Sequence, residues 1–152
     1  MDNREKKDRD SRRKIERLLR NVRTELDDSI DPIVLPGLNA FERKLVHRHF
    51  DHNPNVVTKT YRDGEEFELR IYPVGNLRKF AQEKAEEVLR SGQKLNLPPM
   101  SSYERFVIHD ALKDMDAITA NSFGEDEDRH IVLEPKAFGR GLKKIIKKIR
   151  LF

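Results

Sequence analysis

Residue types and patterns that support many common functions are absent from this chain. The 152 residues include no cysteine, which excludes disulfides and thiolate metal sites and allows a reducing compartment. No apolar run approaches the roughly 20 residues that a membrane-spanning helix needs, and the charged N-terminus is not typical of a secretory signal. These absences predict a cytoplasmic protein without integral membrane association.

Catalytic and cofactor patterns are also missing. The sequence has no Walker-type or dinucleotide-binding glycine pattern and no serine in a nucleophile elbow. The acidic run 125–128 lacks the spacing of an EF-hand and is typical of a solvated turn. His47, His49 and His52 lie close in sequence but have no carboxylate set at a matching helical spacing. The prediction is a protein that is not an enzyme and holds no cofactor or metal.

Charge is abundant and unevenly distributed. Hydrophobic residues make up 36% of the chain and charged residues 38%, with a net charge of +4. From Lys136 to the end there are seven basic residues and no acidic one, and the first 23 residues carry ten basic and five acidic groups. Basic ends favour a polyanionic partner or an anionic surface, although lysine-rich helices that are simply well solvated give the same pattern.

The sequence repeats itself at an offset of 62 residues. The segment Leu35–Arg43 reappears as Leu97–Arg105, and each copy places a histidine four residues after its arginine, at His47 and His109. The register continues without a gap, so that the shared spacing covers about forty residues. The chain is therefore predicted to contain two copies of one small module.

The pattern of apolar residues predicts an α+β fold, with the order helix, strand, helix, strand, strand in each module. Asn39 is expected to cap the second helix of the first module, and Ser101 or Ser102 the corresponding helix of the second, with Glu104 placed for a capping box. Asp63-Gly64 indicates a hairpin. The predicted organisation is a disordered charged N-terminus (1–10), a first module (11–74), a second module (75–135) and a basic C-terminal helix (136–152).

Each repeat contains an Arg-x-x-x-His pair. Arg43 and His47, like Arg105 and His109, are one helical turn apart and therefore share a helix face. An arginine can donate to phosphate and stack on a base, and a histidine on the same face can do either as well. The alternative is a structural pair, with the histidine against the sheet and the arginine bonded to the glutamate that precedes it.

Three segments of the second module resemble a known family. They read P-M-S-S-Y-E-R-F-V-I-H-D-A-L (99–112), S-F-G-E (122–125) and R-H-I-V-L-E-P (129–135). They closely resemble the R-three-H domain, and are most similar to the C-terminal domain of the Jag (sporulation-protein-IIIJ-associated) family. The resemblance implies a three-stranded antiparallel sheet with helices on one side, and binding of single-stranded nucleic acid through the signature arginine and histidine. The first module matches less closely, since Phe67 and Glu68 stand where the second has Arg129 and His130.

The predicted function is binding of single-stranded nucleic acid, with RNA favoured over DNA. Because few aromatic residues lie outside the expected core, base stacking and sequence preference are expected to be limited. The alternative is a protein-interaction or membrane-peripheral adaptor that uses the basic C-terminal helix and keeps the repeats as scaffold. The predicted nucleic-acid-binding residues are Arg105, His109, Arg129, His130, Arg43, His47, Lys44, Lys143 and Lys144.

Overall fold

The computed structural model describes residues 2–136. They divide into two compact units, the first ending at Phe80 and the second beginning at Ala81. The elements are α1 (Asn3–Leu26), β1 (Ile33–Pro36), α2 (Ala40–Phe50), β2 (Val57–Asp63), β3 (Glu66–Tyr72), α3 (Val74–Ser91), β4 (Leu95–Asn96), α4 (Ser102–Leu112), β5 (Ile118–Phe123) and β6 (His130–Pro135). The predicted α+β fold class is confirmed. The predicted C-terminal helix, with Lys143 and Lys144, lies outside the described residues.

Each unit contains one three-stranded antiparallel sheet with the same strand order. The order is β1-β3-β2 in the first unit and β4-β6-β5 in the second. In both sheets the first strand, which precedes α2 or α4, therefore pairs with the third strand and not with the second. None of the helices in residues 2–136 is long and apolar enough to cross a membrane.

Helix α1 begins at Asn3, so the prediction that residues 1–10 are disordered is wrong for the part that the structure describes. The reason lies in the order of the charges. Glu5 precedes Arg9 by four residues and Asp10 precedes Lys14 by four, and such pairs of opposite charge stabilise a helix. High charge alone therefore did not indicate disorder here, because the charges alternate in sign at helical spacing.

The core of the first unit lies between α1, α2 and one face of its sheet. Apolar residues recur at helical spacing along α1, and they are buried against residues of α2 and β3. The buried members are Ile15, Leu19, Val22, Leu26, Leu38, Val46, Phe50, Leu69 and Ile71. Because side chains alternate across a strand, Thr58, Thr60 and Arg62 of β2 lie on this helix-facing side, opposite the inward residues of β3.

Capping boxes fix the starts of α2 and α4. The Glu42 N–H donates to Asn39 Oδ1 at 2.8 Å, and the Asn39 N–H donates to Glu42 Oε1 at 3.0 Å. Ser101 and Glu104 make the same reciprocal pair at 3.4 and 3.2 Å, so Ser101 and not Ser102 is the cap. Both glutamates are buried. Because the signature arginine directly follows each glutamate, the boxes place Arg43 and Arg105 at matching positions.

The hairpin turns differ in length, and the turns before α2 and α4 also differ. Two residues separate β2 from β3, whereas residues 124–129, with a 3-10 turn at Asp126–Asp128, separate β5 from β6. Strand β2 ends at Asp63 and β3 begins at Glu66, which confirms the hairpin predicted from Asp63-Gly64. Gly64 has φ +64°, and Asp126, at the same position of the second hairpin, has φ +50°. Gly37 has φ +75°, whereas the second unit has Pro99 there, and proline cannot adopt that angle. The chain between β1 and α2 therefore follows a different path from its counterpart.

Candidate functional site

The signature arginine of the second unit is anchored to the backbone. Arg105 Nη1 donates to the Met100 carbonyl oxygen at 2.5 Å, and the Met100 N–H donates to the Arg129 carbonyl oxygen at 3.1 Å. The alternative in which the arginine bonds to Glu104 is not observed, since that carboxylate is engaged by the helix cap. Arg105 makes no ion pair with any described residue, so its remaining N–H donors are available to a ligand.

His109 lies one turn further along α4 and contacts β5. Its Nε2 is 3.2 Å from the Ser122 hydroxyl. Burial lowers the pKa of His109, and the charge of Arg105 lowers the pKa further. The imidazole is therefore neutral at pH 7, and Ser122 holds it beside the guanidinium on the helix-facing side of the sheet.

Arg129 and His130 are adjacent in sequence but occupy different sides of the sheet. Ile131 pairs with Ser122, the residue that His109 contacts. Arg129, two residues before Ile131, lies on that same side, where Arg105 is, and its Nη1 donates to the Gly124 carbonyl oxygen at 2.9 Å. His130 lies on the opposite side, and its Nδ1 donates to the Asp128 carbonyl oxygen at 2.9 Å. The structure thus brings three of the four predicted residues of this unit together.

Two exposed aromatic side chains of this unit were not predicted as site residues. Phe106 is 62% exposed, and its ring stacks with Tyr103 at a centroid distance of 6.3 Å. Phe123 is 51% exposed and pairs with His130 across the hairpin, so it lies with His130 on the side of the sheet opposite Arg105. The signal in the sequence was the position of Phe106 beside the buried stripe of α4 and not within it. Both rings offer faces on which a base could stack.

The signature residues of the first unit have different partners. Arg43 Nη1 donates to the Leu38 carbonyl oxygen at 2.6 Å, as Arg105 does to Met100, but its guanidinium also lies 4.4 Å from the centroid of the Phe67 ring. His47 lies with Nδ1 2.6 Å from the Thr58 hydroxyl and Nε2 2.9 Å from the Thr60 hydroxyl. Both nitrogens of this histidine are therefore engaged within the protein. Lys44 is exposed.

A cleft of about 830 Å³ lies beside Arg43, between the turn after β1 and the tip of the β2–β3 hairpin. We call it the Arg43 cleft. It is lined by Pro36, Gly37, Leu38, Asn39, Arg43, Tyr61, Arg62, Asp63, Glu65, Glu66, Phe67, Glu68 and Arg70. The sequence gave no signal for this cleft, because it arises from the separation of two segments that are distant along the chain.

Tyr61 contacts Arg70 and Tyr72 on the outer side of the same sheet, which is the side that faces away from α1 and α2. Arg70 lies 4.6 Å from the centroid of the Tyr61 ring and donates through Nε to Glu68 Oε2 at 2.6 Å. That hydrogen bond raises the pKa of Arg70. The hydroxyls of Tyr61 and Tyr72 are 2.8 Å apart, and burial followed by this bond raises the pKa of Tyr72 to about 12. The arginine is therefore charged and the tyrosine neutral under all physiological conditions.

His47, His49 and His52 are close in sequence but do not form a metal-binding group. His49 Nε2 accepts from Arg23 Nη2 at 3.1 Å, and burial, followed by the charge of Arg23, lowers the pKa of His49. His52 has a positive φ of 68°. Among residues 2–136 no group of three or more histidine, aspartate and glutamate side chains is arranged to hold a metal ion.

Part of the chain is similar to known proteins. Residues 75–135 match the R-three-H domain family, which confirms the resemblance for this segment. The chain is 33% identical over 101 residues to the RNA-binding protein KhpB of Bacillus subtilis (strain 168), covering 65% of this chain and 47% of the relative. It is 36% identical over 58 residues to the RNA-binding protein KhpB of Streptococcus pneumoniae serotype 2, covering 38% and 18%.

The match has a clear extent. The chain spans less than half the length of these curated relatives. One R-three-H segment is matched, so the tandem arrangement of two such domains stays a prediction.

Proposed function

We propose that this protein binds single-stranded nucleic acid, RNA in preference to DNA, through the surface formed by α4 and the β5–β6 hairpin. The observation that carries the proposal is the Met100 link. Through its carbonyl oxygen and its N–H, this residue connects Arg105 to Arg129 on one side of the sheet. Two guanidinium groups on one surface, in a segment that matches the R-three-H domain, favour a phosphate-containing ligand.

The arginines would bind the backbone of the ligand. Arg105 uses one donor on Met100, and Arg129 uses one on Gly124, so each keeps N–H groups for phosphate oxygens. His109 is held beside Arg105 in its neutral form. A phosphate bound there would favour the imidazolium, and binding would then be accompanied by proton uptake at this histidine.

The preference for single strands rests on the exposed ring of Phe106. A base can stack on this ring only when it is not already stacked within a duplex. The preference for RNA rests on the relatives, both of which are named RNA-binding proteins.

The first module, residues 11–74, is proposed to be a diverged R-three-H-like domain with a second, different binding surface. Support comes from the shared strand order, the shared capping box and the shared bond from the signature arginine to the carbonyl five residues before it. Two linked weak sites gain affinity without new contacts. The basic segment 136–152, including Lys143 and Lys144, is proposed to add salt-dependent attraction to the nucleic-acid backbone. Such a protein would act in the cytoplasm.

A binding assay with matched variants tests the proposal. Labelled single-stranded RNA, DNA of the same sequence and the RNA duplex would be titrated with the full chain at two salt concentrations. Arg105→Ala/His109→Ala is compared with Arg90→Ala, which removes an exposed positive charge at the end of α3. A truncation of residues 137–152 measures the contribution of the basic segment.

The proposal expects weak duplex binding, a large loss of affinity in the double variant and little loss in Arg90→Ala. If the double variant binds like the unaltered chain while the truncation abolishes binding, the surface of α4 and the β5–β6 hairpin is not the site and the adaptor function is favoured. Failure of all forms to bind at low salt would overturn the proposal.

A further inference from the structure

The Arg43 cleft exists because the turn after β1 is separated from β3. In the second unit the Met100 N–H donates to the Arg129 carbonyl and closes the corresponding gap. The equivalent residues of the first unit, Leu38 and Phe67, make no such bond. Gly37, with its positive φ, directs the turn along a path that Pro99 cannot follow. At this point the first unit therefore has a cleft where the second unit has a backbone hydrogen bond.

The inner wall of the cleft is a cation–π stack. The Phe67 ring has the Arg43 guanidinium 4.4 Å and the Arg62 guanidinium 5.7 Å from its centroid. Bonds to the Leu38 and Gly64 carbonyl oxygens hold the two guanidinium groups. Planar groups fixed in this way lose little entropy on binding, and they suit a flat aromatic ligand.

A second stack lines the cleft from the outer side of the sheet. Arg70 lies against the Tyr61 ring and donates to Glu68, whose side chain is half-buried. The Arg70 bond uses Oε2, and a carboxylate can accept about four hydrogen bonds. Glu68 is thus a pre-positioned acceptor with capacity for a ligand that carries N–H donors.

The charge of the cleft argues against phosphate. Its lining contains three arginines, but also four carboxylates, on Asp63, Glu65, Glu66 and Glu68. Phe67 occupies the position where the second unit has the cation Arg129. A site with excess negative charge disfavours an anion, whereas flat cationic surfaces with nearby acceptors suit a neutral ring with donors.

We propose that the Arg43 cleft binds one unpaired nucleobase of the same strand, with guanine as the preferred base. Guanine presents adjacent N1–H and N2–H donors, which a carboxylate such as that of Glu68 can accept together. Its O6 and N7 are acceptors for arginine. Adenine and uracil lack this pair of adjacent donors. The cleft volume lies within the roughly 300–1,000 Å³ typical of small-molecule sites.

This inference rests on the proposed function, because it assigns a base to the first unit while the second holds the backbone. The test is an amide chemical-shift titration of the full chain with two oligouridine ribonucleotides, one with a single central guanine and one with a central adenine. We expect the guanine oligonucleotide to shift the amides around Arg43 and Phe67 and to bind more tightly, by about tenfold for one bidentate pair.

Three variants complete the test. Glu68→Gln keeps the size of the side chain but loses the bidentate acceptor, so the preference for guanine should fall to near unity. Phe67→Leu keeps the apolar volume and loses the ring, and it should weaken both oligonucleotides. Glu86→Gln removes an exposed carboxylate of α3 and should change neither.

The two proposals fail in different ways. Shifts confined to the surface of Arg105 and His109, with the first unit silent, would overturn the cleft proposal and leave the proposed function standing. Equal binding of the two oligonucleotides would overturn the guanine preference. Absence of shifts in both units would overturn both proposals.

Discussion

The two units share one scaffold but carry different residues near the signature arginine. Both cap the short helix in the same way, and both anchor the signature arginine to a carbonyl five residues earlier. Across the hairpin, however, Arg43 faces the Phe67 ring, whereas Arg105 is linked through Met100 to a second cation, Arg129. The Arg-x-x-x-His signature therefore fixes the position of the arginine, and the hairpin residue, Phe67 or Arg129, determines which chemical group lies near it.

The histidines differ for an equally local reason. His47 lies between the hydroxyls of Thr58 and Thr60, so both of its ring nitrogens are engaged. In the second unit Ser122 corresponds to Thr60, but Ala120 corresponds to Thr58 and has no hydroxyl. His109 therefore keeps one ring nitrogen without a partner among the described residues. The first histidine is a structural link, and the second is available to a ligand.

The largest expected effect is on RNA affinity. Arg105→Ala/His109→Ala removes two groups that we propose contact the ligand. A hydrogen bond to a charged group is worth about 1.5–3 kcal/mol, so we expect a loss of roughly a hundredfold or more. Arg43→Ala/His47→Ala should cost less, because His47 is already engaged by threonines. Fluorescence anisotropy with labelled single-stranded RNA measures both. Equal losses would show that the two units contribute equally to RNA binding, which would contradict the proposed difference between them.

The next effect is on stability. Glu42→Ala and Glu104→Ala each remove a capping box, at a cost of about 1–2 kcal/mol, but Glu42 also accepts from Lys14 of α1 at 3.3 Å. We expect the larger loss in Glu42→Ala. Burial raises the pKa of Glu42, but the bonds from Asn39 and Lys14 outweigh it and hold the pKa below 4.5.

The contribution of the ionised Glu42 should therefore be complete above pH 4.5 and be lost as the pH falls through its lowered pKa. Urea unfolding of both variants at neutral and acidic pH measures this. The interpretation is wrong if Glu104→Ala proves the more damaging change, or if the loss in Glu42→Ala does not shrink in acid.

A smaller effect on RNA affinity is expected when His109 is given the second hydroxyl partner that His47 has. Ala120→Thr supplies the hydroxyl that Thr58 provides in the first unit and should engage the second nitrogen of His109. One hydrogen bond is worth about 0.5–1.5 kcal/mol, so RNA affinity should fall by roughly threefold to tenfold. Ala120→Val adds similar volume without the hydroxyl and is the matched control. If both substitutions weaken binding equally, the effect is steric, and the hydroxyl at this position does not explain the difference between His47 and His109.

The smallest effect concerns pH. The pKa of His109 is lowered by burial and by Arg105, so the unfolded chain binds the proton more readily than the folded one. The stability that depends on neutral His109 should be complete above pH 6.5 and should fall as the pH drops below that value. Urea midpoints of the unaltered chain and His109→Gln at about pH 7.5 and about pH 5.5 test this.

The pH dependence of RNA binding should have the opposite direction to that of stability, because a bound phosphate favours the imidazolium form of His109. Affinity should therefore rise in acid in the unaltered chain and not in His109→Gln. A pH dependence that is identical in the two proteins would assign it to other groups, among them His49, whose pKa is also lowered.

The sequence predicted the features that depend on short spacings. The cap at Asn39 and the hairpin at Asp63-Gly64 each lie within a few residues of chain, and the structure confirms both. The start of α1 was missed, because composition was weighed above the spacing of opposite charges.

The finer features of the candidate site could not be predicted. The contact of Arg43 with Phe67 joins residues 24 positions apart, and no repeat distance encodes it. The partners of the histidines depend on how a helix lies across a strand, and the Arg43 cleft depends on the backbone angle of Gly37. These are properties of tertiary packing, which one sequence does not display.

The strand order has a consequence for the sequence of events in folding. A capping box joins residues three apart, and the β2–β3 hairpin joins neighbouring strands, so both close short loops at low entropic cost. Strand β1 instead pairs Ile33 with Ile71, across α2 and the whole of β2. Such a non-local contact forms slowly. We expect the capped helix and the hairpin to form first in each unit, and the short first strand to complete the sheet last.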